Sequence, residues 1–241
     1  DRQVYEDPDV YHRFLEFLGG DKDENTTAVY VTHTDGHRVQ PELMQDVGTL
    51  RGLMENGLDI DRSLLDRKSL LVHLDIEYVN FDSPAECYVN PERSFKLQEP
   101  VIAVIEELLL QYGIRPLHLL TGQGHHFIWR VDKESSAMAD LIALAPMNPA
   151  QVSELPANDL DLESHVESGA TAFHGLAWVM EFLAHEIKKH AAPKAAIPVE
   201  LTAIHVGHSA EGCREMISID ISEYGDPLWT RVIRTPFSNY L

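Results

Sequence analysis

The chain has 241 residues, 44% hydrophobic and 24% charged, the composition of a globular protein with one large or two small domains. No run approaches the roughly 18 apolar residues of a membrane span, and two cysteines, Cys87 and Cys213, are too few for a disulfide framework, which points to a reducing cytoplasm. A formal net charge of −20 excludes a protein that coats nucleic acid by charge alone, though not an enzyme that grips it through metal ions and a small basic patch. The chain starts without Met or a signal-peptide pattern, so it is expected to be a piece of a longer protein.

In chain order, Pro8 to Leu18 reads as a helix with Val10, Phe14, Phe17 and Leu18 on one face, stopped by Gly19-Gly20. Ala28 to Thr32 is a strand, followed by a hairpin signal at Asp35-Gly36 and a return through His37, Arg38 and Val39. Pro41 leads into a helix over Leu43 to Met54, closed by Gly57. Asp59 to Lys68 reads as a charged connector, and Ser69 to Val79 as a central strand. Asn80 to Lys96 reads as a loop, with Glu99-Pro100 starting a strong helix that runs through Tyr112 to a stop at Gly113. Leu117 to Leu120 and Phe127 to Val131 are strands around the turn Thr121-Gly-Gln-Gly124, and Ser136 to Leu144 is helical. Pro146 to Ser168 reads as a mobile acidic loop, and Gly169 to His190 as a long helix. Leu201 to Val206, Glu215 to Ile221 and Thr230 to Arg234 are strands. Without a regular βαβ beat, the class is α+β.

Three signals stand out. In Ser69 to Val79, Val72, Leu74, Ile76 and Tyr78 alternate with His73, Asp75 and Glu77, the period of a strand with one buried face. Asp75 and Glu77 therefore point the same way, with Cα atoms roughly 6.5–7 Å apart. Ionised carboxylates on so apolar a strand need a partner. Mg²⁺ or Mn²⁺ is the natural one, the alternative being an ordinary solvent-facing strand. In Leu119 to Trp129, Gly122 and Gly124 allow backbone N–H groups to approach a phosphate, while His126 and Arg130 share a face that could meet an anion. A tight surface hairpin explains the same residues. In Met216 to Ile221, Asp220 projects from a strongly apolar strand, as Asp75 does.

Taken together, hydrophobic-Asp75-x-Glu77, the Thr121-Gly-x-Gly-x-His126 hairpin, and Asp220 followed by Ile233-Arg-Thr-Pro-Phe-Ser238 resemble the archaeo-eukaryotic primase superfamily. That superfamily includes the primase-polymerases. The likeness covers roughly Ser69 to Ser238, interrupted by the acidic insertion. It implies an RRM-like catalytic sheet over about 69–241, an N-terminal α/β unit over about 1–68, and an insertion at about 146–168. It makes Asp75, Glu77 and Asp220 the catalytic carboxylates that hold two Mg²⁺ or Mn²⁺ ions. His126 would bind the nucleotide phosphates, with Thr121 where Ser is usual, Arg234 and Ser238 lining the nucleotide pocket, and Gly122, Gly124 and Arg130 beside it. Phe237 and Tyr240 depart from the residues common at their positions. The implied activity is template-directed joining of NTPs or dNTPs to a 3′-hydroxyl on single-stranded DNA, with a helicase or accessory module as a further domain or partner.

The same carboxylates suit a two-metal phosphodiesterase or nuclease, and the fold could also serve as a non-catalytic nucleic-acid-binding module. His205, His208 and Cys213 could be zinc ligands, but their spacing is irregular and no fourth ligand is evident. His125 points to the face opposite His126. His33, His37 and Arg38 could touch template or nucleotide, and Lys188-Lys189 at a helix C-terminus answers the macrodipole.

Overall fold

A computed structural model of the chain describes residues 7–22, 25–33, 43–56, 59–145, 162–202, 212 and 214–237. Over these described residues it is α+β, with two sheets. The chain forms two compact units, each assembled from separate stretches: residues 1–71, 130–175 and 226–241 in the first, and 72–129 and 176–225 in the second.

In the first unit, α1 (Pro8–Phe17) starts where the Asp7 side chain accepts from the Asp9 N–H, and it ends at Gly19, whose φ of 87° suits glycine. Its buried face, Phe14, Leu15 and Leu18, packs with Val31, Val47, Leu50, Leu53 and Ile60. Three short antiparallel strands, β1 (Val31–Thr32), β2 (Asp61–Ser63) and β8 (Val232–Arg234), make the smaller sheet in the order β1-β2-β8. Helix α2 is short (Leu50–Glu55), because Asp46 caps the Gly48 N–H and starts a 3₁₀ turn at Val47. The helix expected from Leu43 is shortened accordingly.

Residues 59–68, expected as a charged connector, carry β2 and a buried polar network. Arg62 is fully buried. It donates to the Phe17 carbonyl at 2.6 Å, the Ser63 carbonyl at 2.9 Å and Asp66 Oδ2 at 3.0 Å. Asp66 Oδ2 also accepts from Thr27 and from Arg130 at 3.0 Å, and its Oδ1 accepts from the backbone of Lys68 and Ser69. A buried charge is tolerated only when paired in this way.

The second unit carries most of the five-stranded sheet, in the order β4-β5-β3-β7-β6. Its strands are β3 (Ser69–Asn80), β4 (Leu117–Leu120), β5 (Gly124–Asp132), β6 (Val199–Thr202) and β7 (Glu215–Asp220). β3 pairs antiparallel with β7, β4 pairs antiparallel with β5, and β6 joins β7 in parallel. The intervening helices are α3 (Glu86–Val89), α4 (Pro91–Gln111), α5 (Ser136–Leu144) and α6 (Glu163–Ala191).

Two helix starts differ from expectation. α4 begins at Pro91, where a missing N–H costs nothing, and carries Pro100 in its interior, where the bond to the Lys96 carbonyl is lost. Ser94 and Gln98 are buried polar residues that hide this first half from a hydrophobic-periodicity reading. α6 begins at Glu163, within the stretch expected to be a loop. Gly169 lies inside this helix against Leu65 and Leu228, and Gly175 sits so close to the Leu141 carbonyl that a Cβ would be 1.8 Å from the oxygen. The Asp35-Gly36 hairpin, Pro41, Gly57 and residues 146–161 lie outside the described residues. Among the described residues no helix is long and apolar enough to cross a membrane.

Candidate active site

The site is built on two neighbouring strands of the second unit. Period-two alternation buries Leu74, Ile76 and Tyr78 of β3 and leaves Asp75 and Glu77 half-buried on the other face. The register of β7 brings Asp220 directly opposite Asp75, and Ser218 opposite Glu77. Ser218 is fully buried and shares a hydrogen bond of 2.7 Å with Thr202 on β6, so the floor beside Glu77 is satisfied.

Asp220 is fixed by an Asx turn: its Oδ1 accepts from the Ser222 N–H at 2.7 Å. The chain then makes a 3₁₀ turn at Ser222–Gly225 and reaches His73 at the start of the same strand face. Glu223 Oε2 lies 3.0 Å from His73 Nδ1. The Tyr224 hydroxyl donates to the His73 carbonyl at 2.5 Å and accepts from the His73 N–H at 3.2 Å. On the neighbouring strand β5, His126 Nε2 sits 3.3 Å from Asp75 Oδ1. The His73 and His126 rings meet edge to face, with centroids 4.4 Å apart.

The electrostatics follow from this crowding. Burial pushes the Glu77 carboxyl up, and the charges of Asp75 and Asp220 push it further, to about 8. Burial likewise raises Asp220, with Asp75 and Glu223 adding to the shift against the lowering by its Ser222 hydrogen bonds. Burial alone would deprotonate His73. The charge and hydrogen bond of Glu223, with the charges of Asp75 and Asp220, outweigh it and hold the imidazole up at about 9. Glu77 and Asp220 both resist ionising beside Asp75, and a divalent cation in their midst would relieve that repulsion.

The hairpin residues have structural partners of their own. Thr121 Oγ1 accepts from the Gly124 N–H at 2.9 Å, and the Thr121 N–H donates to the Gly124 carbonyl. A Cβ on Gly124 would stand 1.8 Å from the Ile76 carbonyl oxygen, and one on Gly122 would stand 3.1 Å from the Tyr88 ring. Both glycines thus have a packing reason. His125 is buried on the opposite face, its Nδ1 2.8 Å from His118 Nε2; burial and the neighbouring histidines hold it down at about 4.

Asp75, Glu77, Asp220 and His126 are therefore gathered in the second unit, with Thr121, Gly122 and Gly124. Arg130 and Arg234 belong to the first unit. Arg130 is engaged by Asp66, by Ser69 Oγ at 3.2 Å and by the Phe17 carbonyl, and Arg234 lies 3.7 Å from Asp59. Phe237 adopts a φ of 66°, strained for a residue with a Cβ. Ser238, Tyr240, His37, Arg38 and the candidate zinc ligands His205, His208 and Cys213 lie outside the described residues.

Two site residues escape a reading of the motifs. His73 shares the period-two face of Asp75 and Glu77, which is signal enough to include it. Glu223 stands in a turn with no local pattern, and only the β3–β7 register brings it to His73. Compared with protein-family models, curated proteins and solved structures, the chain finds no match.

Proposed function

We propose that the chain is a metal-dependent, template-directed nucleotidyltransferase of the primase-polymerase kind. The observation that carries this reading is Asp75 opposite Asp220 across β3–β7, with Glu77 two residues along and His126 3.3 Å from Asp75. The strand-helix order β3-α4-β4-β5-α6-β7 and the sheet order β4-β5-β3-β7 support an RRM-like core of the split βαβ type, to which β6 adds a strand.

Asp75, Glu77 and Asp220 would hold Mg²⁺ or Mn²⁺. Bound there, the ions supply an activated 3′-hydroxyl and neutralise the triphosphate of an NTP or dNTP. His126, fixed by its neighbour Asp75 and by the Thr121 hairpin, would donate to a phosphate oxygen and orient it. Asp220, locked by its bond from Ser222, keeps the carboxylate geometry rigid. Arg234 and Ser238 are proposed for the nucleotide pocket on the resemblance alone.

Incubation of the protein with Mn²⁺ or Mg²⁺, labelled NTPs or dNTPs and a primed or bare single-stranded DNA template tests this. Extension is the expected product. Degradation of the template would make the site a phosphodiesterase, and no change in either strand would leave a binding module.

A further inference from the structure

His73 is the group at this site that nucleotidyl transfer does not use. Its side chain is 9% exposed, and its Nε2 is buried with no hydrogen-bond partner. A buried imidazole nitrogen without a partner is costly. The Nδ1 side is taken by Glu223 at 3.0 Å, and the backbone of His73 is clamped on both its N–H and its carbonyl by the Tyr224 hydroxyl. The ring is therefore held in one orientation. It meets the His126 ring edge to face, and one ligand atom each from His73, Asp75 and His126 lies within 4.8 Å of the others.

We propose that His73, Asp75 and His126 form a site for a borderline divalent cation of the Zn²⁺ or Co²⁺ class, with His73 Nε2 as a ligand and Glu223 orienting it. Two imidazoles and one carboxylate are a donor set that favours such ions over Mg²⁺, which takes oxygen and water. A carboxylate on the far nitrogen of a ligating histidine is the usual outer support of such a site. Ligands at about 2.1 Å from one tetrahedral ion stand about 3.4 Å apart. Asp75 Oδ1 and His126 Nε2 already do, at 3.3 Å, and His73 closes on them by no more than about 1.4 Å, within the reach of side-chain rotation.

The site shares Asp75 and His126 with the proposed transfer centre, and the inference rests on that reading in placing a working cation beside Asp75. Cation binding is nevertheless measured without nucleotide, so each can fail alone. Titration calorimetry with Zn²⁺ and with Mg²⁺, and visible absorption on adding Co²⁺, are the measurements. The full chain should bind Zn²⁺ at least about 100-fold more tightly than Mg²⁺. His73→Gln and His126→Gln should each weaken one equivalent of Zn²⁺ about tenfold or more and diminish the Co²⁺ band. Glu223→Gln should weaken it about 10–100-fold. Mg²⁺ affinity should stay within about twofold in His73→Gln. Comparison with wild type isolates this equivalent from any other histidine or cysteine that takes zinc. If His73→Gln does not fold, His126→Gln carries the test. Wild-type Zn²⁺ affinity in either folded variant, or Zn²⁺ no tighter than Mg²⁺, overturns the site. A protein that binds Zn²⁺ through His73 yet extends no primer keeps this site and loses the transferase reading.

Discussion

Asp75 and Asp220 are direct partners across the antiparallel β3–β7 ladder. Side chains so placed stand about 4.5–5.5 Å apart at Cβ, and like charges there oppose pairing. The strands hold because the buried residues between them, Ile76 with Ile219 and Tyr78 with Ile217, outweigh that repulsion.

Asp220→Asn and Asp75→Asn should therefore each stabilise the metal-free protein by about 0.2–1 kcal/mol. Each should also abolish metal-dependent nucleotide incorporation. Thermal melts with chelator and primer-extension assays check the two halves. A variant that melts lower without metal, or that extends like wild type in Mg²⁺ and Mn²⁺, removes that carboxylate from the centre.

Gly124 and Gly113 should respond differently to alanine. A Cβ at Gly124 meets the Ile76 carbonyl oxygen at 1.8 Å, whereas Gly113 has open space and only its φ of 73° to defend. Gly124→Ala should cost about 3 kcal/mol or more and Gly113→Ala about 1–2 kcal/mol. Chemical denaturation of both variants would show it, and equal costs would mean that the hairpin does not press on β3.

The Asp66 network predicts acid sensitivity. The Asp66 carboxyl is buried, and that raises its pKa, but Arg62, Thr27, the Lys68 N–H and Arg130 outweigh burial and hold it well below the ordinary carboxylate range. A depressed carboxylate contributes stability that is full above the unfolded value, about 3.9, and is lost as pH falls through the folded value. Asp66→Asn leaves Arg62 buried without its counter-charge and should cost about 3–5 kcal/mol at neutral pH. Urea unfolding of both proteins between about pH 6 and pH 2 should show the gap narrowing only below about pH 4. A gap that narrows between pH 7 and pH 5 would assign the effect elsewhere.

His126→Ala should weaken nucleotide binding in Mn²⁺ with little change in binding of a bare template, because in the proposed reading the hairpin would meet the triphosphate and not the template. Arg130→Ala should instead lower stability by about 1–3 kcal/mol, since its guanidinium is committed to Asp66, Ser69 and Phe17. Calorimetry for affinity and melting temperature for stability separate the two. A large loss of nucleotide affinity in Arg130→Ala would return that residue to the pocket.

Template binding by this chain alone should be weak, roughly micromolar or worse at physiological salt, with a shallow salt slope. The net charge is −20, and the arginines nearest the third motif are already neutralised: Arg231 by Asp226 at 2.8 Å and Arg234 by Asp59. Divalent metal and nucleotide should improve binding by cancelling the charges of Asp75, Glu77 and Asp220. A salt titration of single-strand binding decides this. Nanomolar, steeply salt-dependent binding without metal would overturn it.

The sequence by itself determined the α+β class, the strand face of His73, Asp75 and Glu77, the helix Ser136–Leu144 and the isolation of Asp220 on an apolar strand. These are local properties: the period of two and the helix stop at Gly113 are written in neighbouring residues. Helix starts at Pro91 and Glu163 were obscured because buried polar residues and an acidic approach mimic loop composition. Only the tertiary structure decided that Asp220 faces Asp75, that Glu223 reaches His73, and that Arg130 serves Asp66. Each depends on strand register or on contacts between stretches far apart in the chain, and pairing energies between distant segments leave no local periodicity to read. The burial that makes Asp66 and His73 unusual likewise exists only once those segments have packed.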